Sequence, residues 1–538
     1  MRLEWSSVKR DFPVWLALVL VIGLLGWLTF WIRDEVAGEQ AAPVVSDALV
    51  INEISPATNG ALLHPSGTPA EFIELFNGTT TPIDLYNYGL SDRGSEEVRW
   101  VFPHATIAPG EYLMLYLTGT RAEGLNVSFR LSSGGGEEVT LTTPNGRVLD
   151  TVTTVPVEPA EVMARGANGA WGVSKLITPG YPNTEAGFQD YLTSITALSD
   201  ALVINEVLPR NAANWVFQGG LPEYVELVNT GSESLELGNC YLSDTSARPF
   251  RWQLPETTLP PNERFVAYTH DAPTDAPAAG FRLASETGVV VLSCGGKVSD
   301  LVDYHDVPNG TAWFRGDMES YLSPVISPGY PDDEAGVAAF LSAMRPNPAG
   351  LMLSEMANRN HTQLGQNGGE FYDWIELRNN GDTPVNLADY ALSTNGNRKH
   401  ALPDVILKPG EFYVVMASGD AALSNANYQH LPFKLGENES LYLFRGNELL
   451  DGVFLSEIPL NWTMGRSDAD GYYYFATPTP LSPNGTGLIN PPLAPRVNGT
   501  QPGVYNDVES VTVEFAGVGD IYYTTDGSTP TTSSAHYT

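Results

Sequence analysis

The chain repeats itself three times at domain-sized spacing, and this limits its architecture more than any other feature of the sequence. Leu49-Val50-Ile51-Asn52-Glu53-Ile54 returns as Leu202-Val203-Ile204-Asn205-Glu206-Val207 and again as Leu351-Met352-Leu353-Ser354-Glu355-Met356. The period is roughly 150 residues, far too long for a solenoid unit. Three consecutive copies of one domain are therefore expected.

Further landmarks recur in the same order. Glu71-Phe72-Ile73-Glu74-Leu75-Phe76-Asn77 matches Glu223-Tyr224-Val225-Glu226-Leu227-Val228-Asn229 and Asp373-Trp374-Ile375-Glu376-Leu377-Arg378-Asn379. A Leu-Ser pair follows at Leu90-Ser91, Leu242-Ser243 and Leu392-Ser393, then a proline-led turn at Pro109-Gly110, Pro261-Asn262 and Pro409-Gly410. Each copy closes on a proline-rich stretch, at residues 178–183, 327–332 and 481–485. Between landmarks lie short apolar, β-branched and aromatic runs such as Tyr112–Leu117 and Phe412–Met416. Turn residues bound these runs, and long helical periodicity is absent inside the copies. Many short strands punctuated by turns predict an all-β sandwich for each copy. Two connectors, Glu185–Leu192 and Glu334–Leu341, carry an aromatic and a leucine near helical spacing. They are expected as short packed helices that hold neighbouring copies in a semi-rigid row.

The E-[FYW]-[IV]-E-L-x-N strand and the later Phe102-Pro103…Ile107-Ala108-Pro109-Gly110-Glu111-Tyr112 and Leu402-Pro403…Leu407-Lys408-Pro409-Gly410-Glu411-Phe412 stretches resemble the lamin tail domain, an immunoglobulin-like sandwich. Copy two departs from the pattern at Asn262, where glycine is usual, but asparagine tolerates similar turn geometry. The resemblance places lamin tail domains at 47–184, 200–333 and 350–487. After the break at Pro491-Pro492-Leu493-Ala494-Pro495, the run Tyr522-Tyr523-Thr524-Thr525-Asp526-Gly527-Ser528-Thr529-Pro530-Thr531 resembles the C-terminal immunoglobulin-like domain of chitobiase and hexosaminidase. That resemblance covers 491–538 only. It implies further strands beyond Thr538 and a poorly packed segment here. The same combination of modules resembles the accessory regions of bacterial surface proteins that carry a CotH-type kinase domain, which implies that such a domain follows.

Residues Val14–Ile32 are uncharged and long enough for a helix to cross about 30 Å of hydrocarbon. Trp15, Trp27 and Trp31 stand towards the ends of this run. Arg2, Lys9 and Arg10 precede it, so the positive-inside bias leaves the N-terminus in the cytoplasm and everything after the run outside. Residues 1–35 are thus expected to be a cytoplasmic stub and a retained single-pass anchor. Signal-peptide cleavage near Val36-Ala37-Gly38, which would release a secreted protein, is the competing reading.

The formal charge is −35, from 63 acidic against 28 basic residues. A surface this acidic repels phosphate backbones, so nucleic acid is not expected as a partner. The two cysteines, Cys240 and Cys294, are too few for a thiolate zinc site or a disulfide-stapled mini-fold. Both lie in copy two, with Tyr88 and Tyr390 at the Cys240 position of the other copies. The expectation is one disulfide in an exported domain, against the alternative of two separate buried thiols.

The recurring acids Glu53, Glu71 and Glu74 and their counterparts are the first candidates for chemistry, because paired carboxylates can act as glycosidase acid and base. Glu71 and Glu74 are three apart on a strand and so face opposite sides, and their recurrence in tandem copies suits architecture better than catalysis. Asp303-Tyr304-His305-Asp306 is a candidate metal corner without any supporting H-E-x-x-H pattern, and Asp468-Ala469-Asp470-Gly471 only imitates the start of a calcium loop. Trp215, Tyr472, Tyr473 and Tyr474 are the candidate ligand-contact aromatics, although core or staple packing is the favoured reading of them. Nucleophile elbow, P-loop and dinucleotide fingerprint are all missing, so no catalytic residue, cofactor or metal is expected. The sequence therefore predicts a membrane-anchored extracellular array of non-catalytic modules that contacts cell-wall or extracellular proteins or glycans. The alternative is the accessory region of a surface enzyme, most plausibly CotH-kinase-like.

Overall fold

A computed structural model describes residues 48–538 except 58–59, 96, 121–122, 317–318, 345–349, 367–368, 468–470, 492–495, 499–511, 517–520, 527–529, 532 and 538. The apolar run at 14–32, the acidic residues 468–470 and much of the segment after 491 lie outside the described residues. Among the described residues no helix is long and apolar enough to cross a membrane. The chain divides into two compact units. One carries copy one with Asn239–Gln253 and Ser293–Val298, and the other carries the rest of copy two together with copy three.

Each copy is an antiparallel β-sandwich. In copy one, a five-stranded sheet runs in the order Trp171–Ser174, Val162–Arg165, Leu49–Ser55, Phe72–Asn77, Tyr112–Tyr116. A four-stranded sheet faces it, in the order Trp100–Val101, Gly89–Ser91, Glu138–Thr142, Val148–Thr153. Copy three repeats both sheets, and copy two repeats the five-stranded one strand for strand. Leu49, Ile51, Ile54, Ile73 and Leu75 face Leu90, Val139, Leu141 and Val152 to make the core of copy one. Burying branched aliphatics from both sheets is the main stabilising term, at about 25 cal/mol per Å² of apolar surface.

The opening strand does not alternate strictly. Its core residues fall at 49, 51 and 54, and a β-bulge between Ile51 and Glu53 shifts its register against Phe72–Asn77. Copies two and three carry the same bulge, between Ile204 and Glu206 and between Leu353 and Glu355. A bulge re-aims the side chain that follows it. Here it turns Glu53 off the core face and sets it opposite Glu74, on the side that the closing proline-rich stretch covers.

The proline-led turns share one backbone state. Gly110, Asn262 and Gly410 all have φ between 64° and 78°, so the asparagine of copy two occupies the left-handed conformation that glycine takes in the other copies.

Both connectors are helices, Glu185–Ile195 and Glu334–Ala343, capped by Thr184 and Asp333 side chains that accept from Gly187 N and Gly336 N. A Cβ on Gly187 or Gly336 would stand 2.0 or 2.1 Å from the carbonyl oxygen of Pro182 or Pro331, so the tight entry into each helix requires glycine. Tyr191 of the first helix is buried, and its hydroxyl donates to Ala61 O of copy one. In the second helix, Phe340, Leu341 and Met344 pack with Leu208, Trp215 and Phe314 of copy two and with Tyr473 of copy three. Leu341 O accepts from Gly471 N at 2.8 Å, and Ser440 Oγ donates to Ala212 O at 2.7 Å. Copies two and three are therefore joined by a packed, hydrogen-bonded interface, as expected for a semi-rigid row.

Candidate functional site

The recurring acids are the only repeated polar cluster that the sequence singles out, and the structure buries two of the three in each copy completely. Glu53 and Glu74 are cross-strand partners in copy one, and Glu206/Glu226 and Glu355/Glu376 hold the same places in copies two and three. All six are 0% exposed. Glu71 takes no part, since its carboxylate meets Arg130 at 3.2 Å while that of Glu74 accepts from Asn52 Nδ2 at 2.6 Å and Gly180 N at 2.6 Å.

The donors come from the closing stretch. Glu53 Oε2 receives Thr178 Oγ1 at 2.6 Å, and both of its oxygens lie 3.2 Å from Thr178 N. In copy two Gly329 N reaches Glu226 at 2.7 Å, and in copy three Leu481 N reaches Glu376. Each pair thus clamps the last proline-rich turn onto the outer face of the five-stranded sheet. Thr178 Oγ1 is also 2.8 Å from Asn183 Oδ1. One hydroxyl hydrogen cannot serve two acceptors, so a proton on Glu53 is what completes the network. Burial acts in the same direction, pushing Glu53 up to about 7, Glu226 to about 8 and Glu376 to about 7. Glu74 and Glu206 rise well above the usual carboxylate range, first through burial and then through repulsion from Glu53 and Glu226.

Copy two adds a third acid. Asp332 stands where copies one and three have Asn183 and Asn484, and oxygens of Glu206, Glu226 and Asp332 lie within 4.8 Å of one another. Three carboxylates suit a hard cation by chemistry. Every one of these oxygens already accepts from a protein donor, however: Tyr224 and Ser327 for Glu206, Asn205 and Gly329 for Glu226, Ser327 and Asn205 for Asp332. The feature common to the three copies is the hydrogen-bonded clamp. Glycosidase chemistry needs carboxylates that reach substrate, and these are sealed.

Sequence reasoning missed a second clamp. Asp150 Oδ2 accepts from Ile51 N at 2.8 Å, and Arg165, 2.5 Å from that carboxylate, donates through Nε to Ile51 O at 2.9 Å. The pair fills the backbone donor and acceptor of Ile51, just before the bulge, on the side where strand Val162–Arg165 pairs only with Glu53 and Ile54. Asp300 and Arg315 do the same for Ile204, and Asp451 accepts from Leu353 N while bound to Arg466 at 2.6 Å. The readable signal is an aspartate and an arginine fifteen residues apart in every copy.

The structure packs the candidate aromatics largely inward. Trp215 is 8% exposed among Phe217, Tyr224, Tyr268 and Phe340, because the loop that carries it folds onto the second connector helix. Tyr472 and Tyr474 belong to the core of copy three, and Tyr473 is half-buried beside the connector cluster. Of the four, only Tyr473 keeps partial exposure. His305 sits at the surface, 3.2 Å from Asp303, and the acid trio of copy two is the one group of metal-type ligands gathered among the described residues. Cys240 and Cys294 are joined as a disulfide with Cα atoms 4.1 Å apart.

The family model of the lamin tail domain matches residues 44–156, 196–312 and 346–455, more than half of the chain. The chain belongs to the lamin tail domain family. A second model, the chitobiase/beta-hexosaminidase C-terminal domain, matches residues 500–538. No curated protein matches the chain. Neither matched module is a catalytic domain, and in the lamin tail array both repeated charged clusters are hydrogen-bonded to the fold's own backbone. Its glutamates hold the closing turn and its Asp–Arg pairs hold the opening strand just before the bulge.

Proposed function

We propose that this chain is a membrane-anchored, extracytoplasmic array of lamin tail domains that serves as surface interaction or spacer modules. The observation that carries this reading is that every repeated polar cluster is spent inside the sandwiches, while copies two and three are locked into a row through Phe340, Leu341 and Met344. Such an arrangement presents loops and sheet edges at fixed spacing and leaves the sealed acids no access to a substrate. The acidic surface and the 14–32 run support placement outside the cell, held by the N-terminal helix. The partners this reading calls for are cell-wall or extracellular proteins or glycans, without nucleic acid, cofactor or metal. The test applies the full chain in detergent to arrayed cell-wall glycans and extracellular proteins, with parallel hydrolase and kinase assays. Saturable binding without turnover is expected. Turnover abolished by substitution of one of the chain's acids would overturn the reading.

A second reading is favoured by the match at 500–538, since that module takes its name from hexosaminidases. On it the array is the accessory region of a surface enzyme, CotH-kinase-like on the sequence resemblance, and the array places that enzyme on its target.

A further inference from the structure

The outer edge of the five-stranded sheet is treated differently in the three copies. In copy three the edge strand Tyr472–Phe475 is met by the chain's own residue Leu488, which runs antiparallel to it. Tyr474 N donates to Leu488 O and Leu488 N to Tyr474 O, both at 2.8 Å. Gly487 makes this approach feasible, because a Cβ there would stand 2.3 Å from Tyr473 Cβ.

The register fixes the equivalent positions. Tyr474 pairs with Met464, two residues before Arg466. Val173 pairs with Met163, two before Arg165, and Leu322 pairs with Trp313, two before Arg315. The same alternation of the ladder points the backbone N–H and C=O of Val173 and Leu322 outward, as it does for Tyr474. Among the described residues no strand pairs with either edge. Val173 is 47% exposed and Leu322 43%, where Tyr474 is 4%. A Cβ on Gly172 would meet nothing within 4 Å, so the opposite face of the same edge strand is open too.

We propose that the edge strands Trp171–Ser174 and Tyr321–Ser323 of copies one and two each take up a short, extended, uncharged peptide segment of a partner protein, as an added antiparallel strand. The chain's own Thr486-Gly487-Leu488-Ile489-Asn490 on copy three is the pattern for such an occupant: small residue, aliphatic, aliphatic, no charge. Main-chain hydrogen bonds hold the segment, and its aliphatic side chain covers Val173 or Leu322. Lys175 and Pro324 close the far end of each open edge. They limit the strand to a few residues and oppose edge-to-edge pairing of whole sheets, so a short segment fits better than a second copy of the chain. The inference deepens the interaction-array reading by naming the kind of partner.

The probe is a fluorescent synthetic peptide with the sequence of residues 484–491, titrated into the full chain in detergent and followed by anisotropy. Val173→Pro with Leu322→Pro removes only the outward donors, so the sandwiches should melt unchanged. Binding should weaken by about tenfold or more, the scale of one or two lost hydrogen bonds. If the proline pair disturbs folding, Val173→Glu with Leu322→Glu places charge on the same apolar contact and should weaken binding alike. A peptide carrying proline in place of its Leu488 should not bind. Equal binding by wild type and both double variants, or no binding by wild type, would overturn the inference. Glycan binding without peptide binding would overturn it too, while leaving the interaction-array reading in place.

Discussion

Glu53 and Glu74 are cross-strand partners whose carboxylates are wholly buried and are held by the neutral donors Thr178, Asn52 and Gly180. A buried acid pair held in this way is comfortable only while it keeps protons. The arrangement, present in all three copies, ties the stability of the array to pH.

Burial raises the folded-state pKa of Glu53 and Glu376 to about 7 and of Glu226 to about 8. An unfolded chain releases the same protons near pH 4.3. Between those limits the folded form binds more protons, so stability is full below about pH 4.3 and is lost as pH rises through about 7 to 8. The thermal midpoint of the full chain should fall between pH 5 and pH 9. In Glu53→Gln the fall should be shallower for copy one, as read by hydrogen exchange of the 49–55 strand.

The second clamp ranks the copies. Arg466 and Asp451 are 4% and 3% exposed, whereas Arg315 and Asp300 are 36% and 13% exposed. Asp451→Ala takes the counter-charge from a buried guanidinium and should cost copy three about 3–5 kcal/mol. Asp300→Ala leaves a partly solvated one and should cost copy two about 1–2 kcal/mol. Hydrogen exchange in peptides covering 351–357 and 202–208 separates the two effects within one chain.

One closing turn is strained. Gly180 and Gly329 adopt φ of 84° and 83°, and at the same place copy three has Leu481 at φ 63°, half of its surface exposed. A side chain there costs about 1–2 kcal/mol, and glycine recovers most of it after its larger unfolded-state entropy is counted. Leu481→Gly should stabilise copy three, and Gly180→Leu destabilise copy one, each by about 0.5–1 kcal/mol in denaturant unfolding.

The disulfide spans a separation of 54 residues. Closing a loop of that length restricts the unfolded chain by about 4 kcal/mol on the chain-entropy view. Cys240→Ala with Cys294→Ala should lower copy two by about 2–4 kcal/mol and leave copy three unchanged, measured by copy-resolved hydrogen exchange.

The sandwich class, the three copies and both connector helices were legible because they rest on repetition and local turn chemistry, as in the shared left-handed state of Gly110, Asn262 and Gly410. The pairing of Glu53 with Glu74 was not legible. Strict alternation in Leu49–Ser55 would put Glu53 on the core face beside Leu49 and Ile51, and only the bulge turns it outward. The Asp–Arg clamp was hidden because it serves the Ile51 backbone where the neighbouring strand stops short, which only the sheet register shows. Core packing was the favoured reading of Trp215 and the 472–474 tyrosines, but what they pack against was not legible. Trp215 meets Phe340 of the connector helix and Tyr472 and Tyr474 join the core of copy three, contacts between segments far apart in sequence.

On the proposed function the lamin tail domains lie outside the cell, tethered by the apolar run at 14–32. The direct measurement is protease treatment of intact cells expressing the full chain, followed by immunoblotting with antibodies against the N-terminal stub and against copy three. Loss of everything beyond about residue 45, with a protected fragment of the stub and apolar run left in the membrane, is the predicted result. Full protection of copy three in sealed cells, with digestion only after lysis, would contradict it.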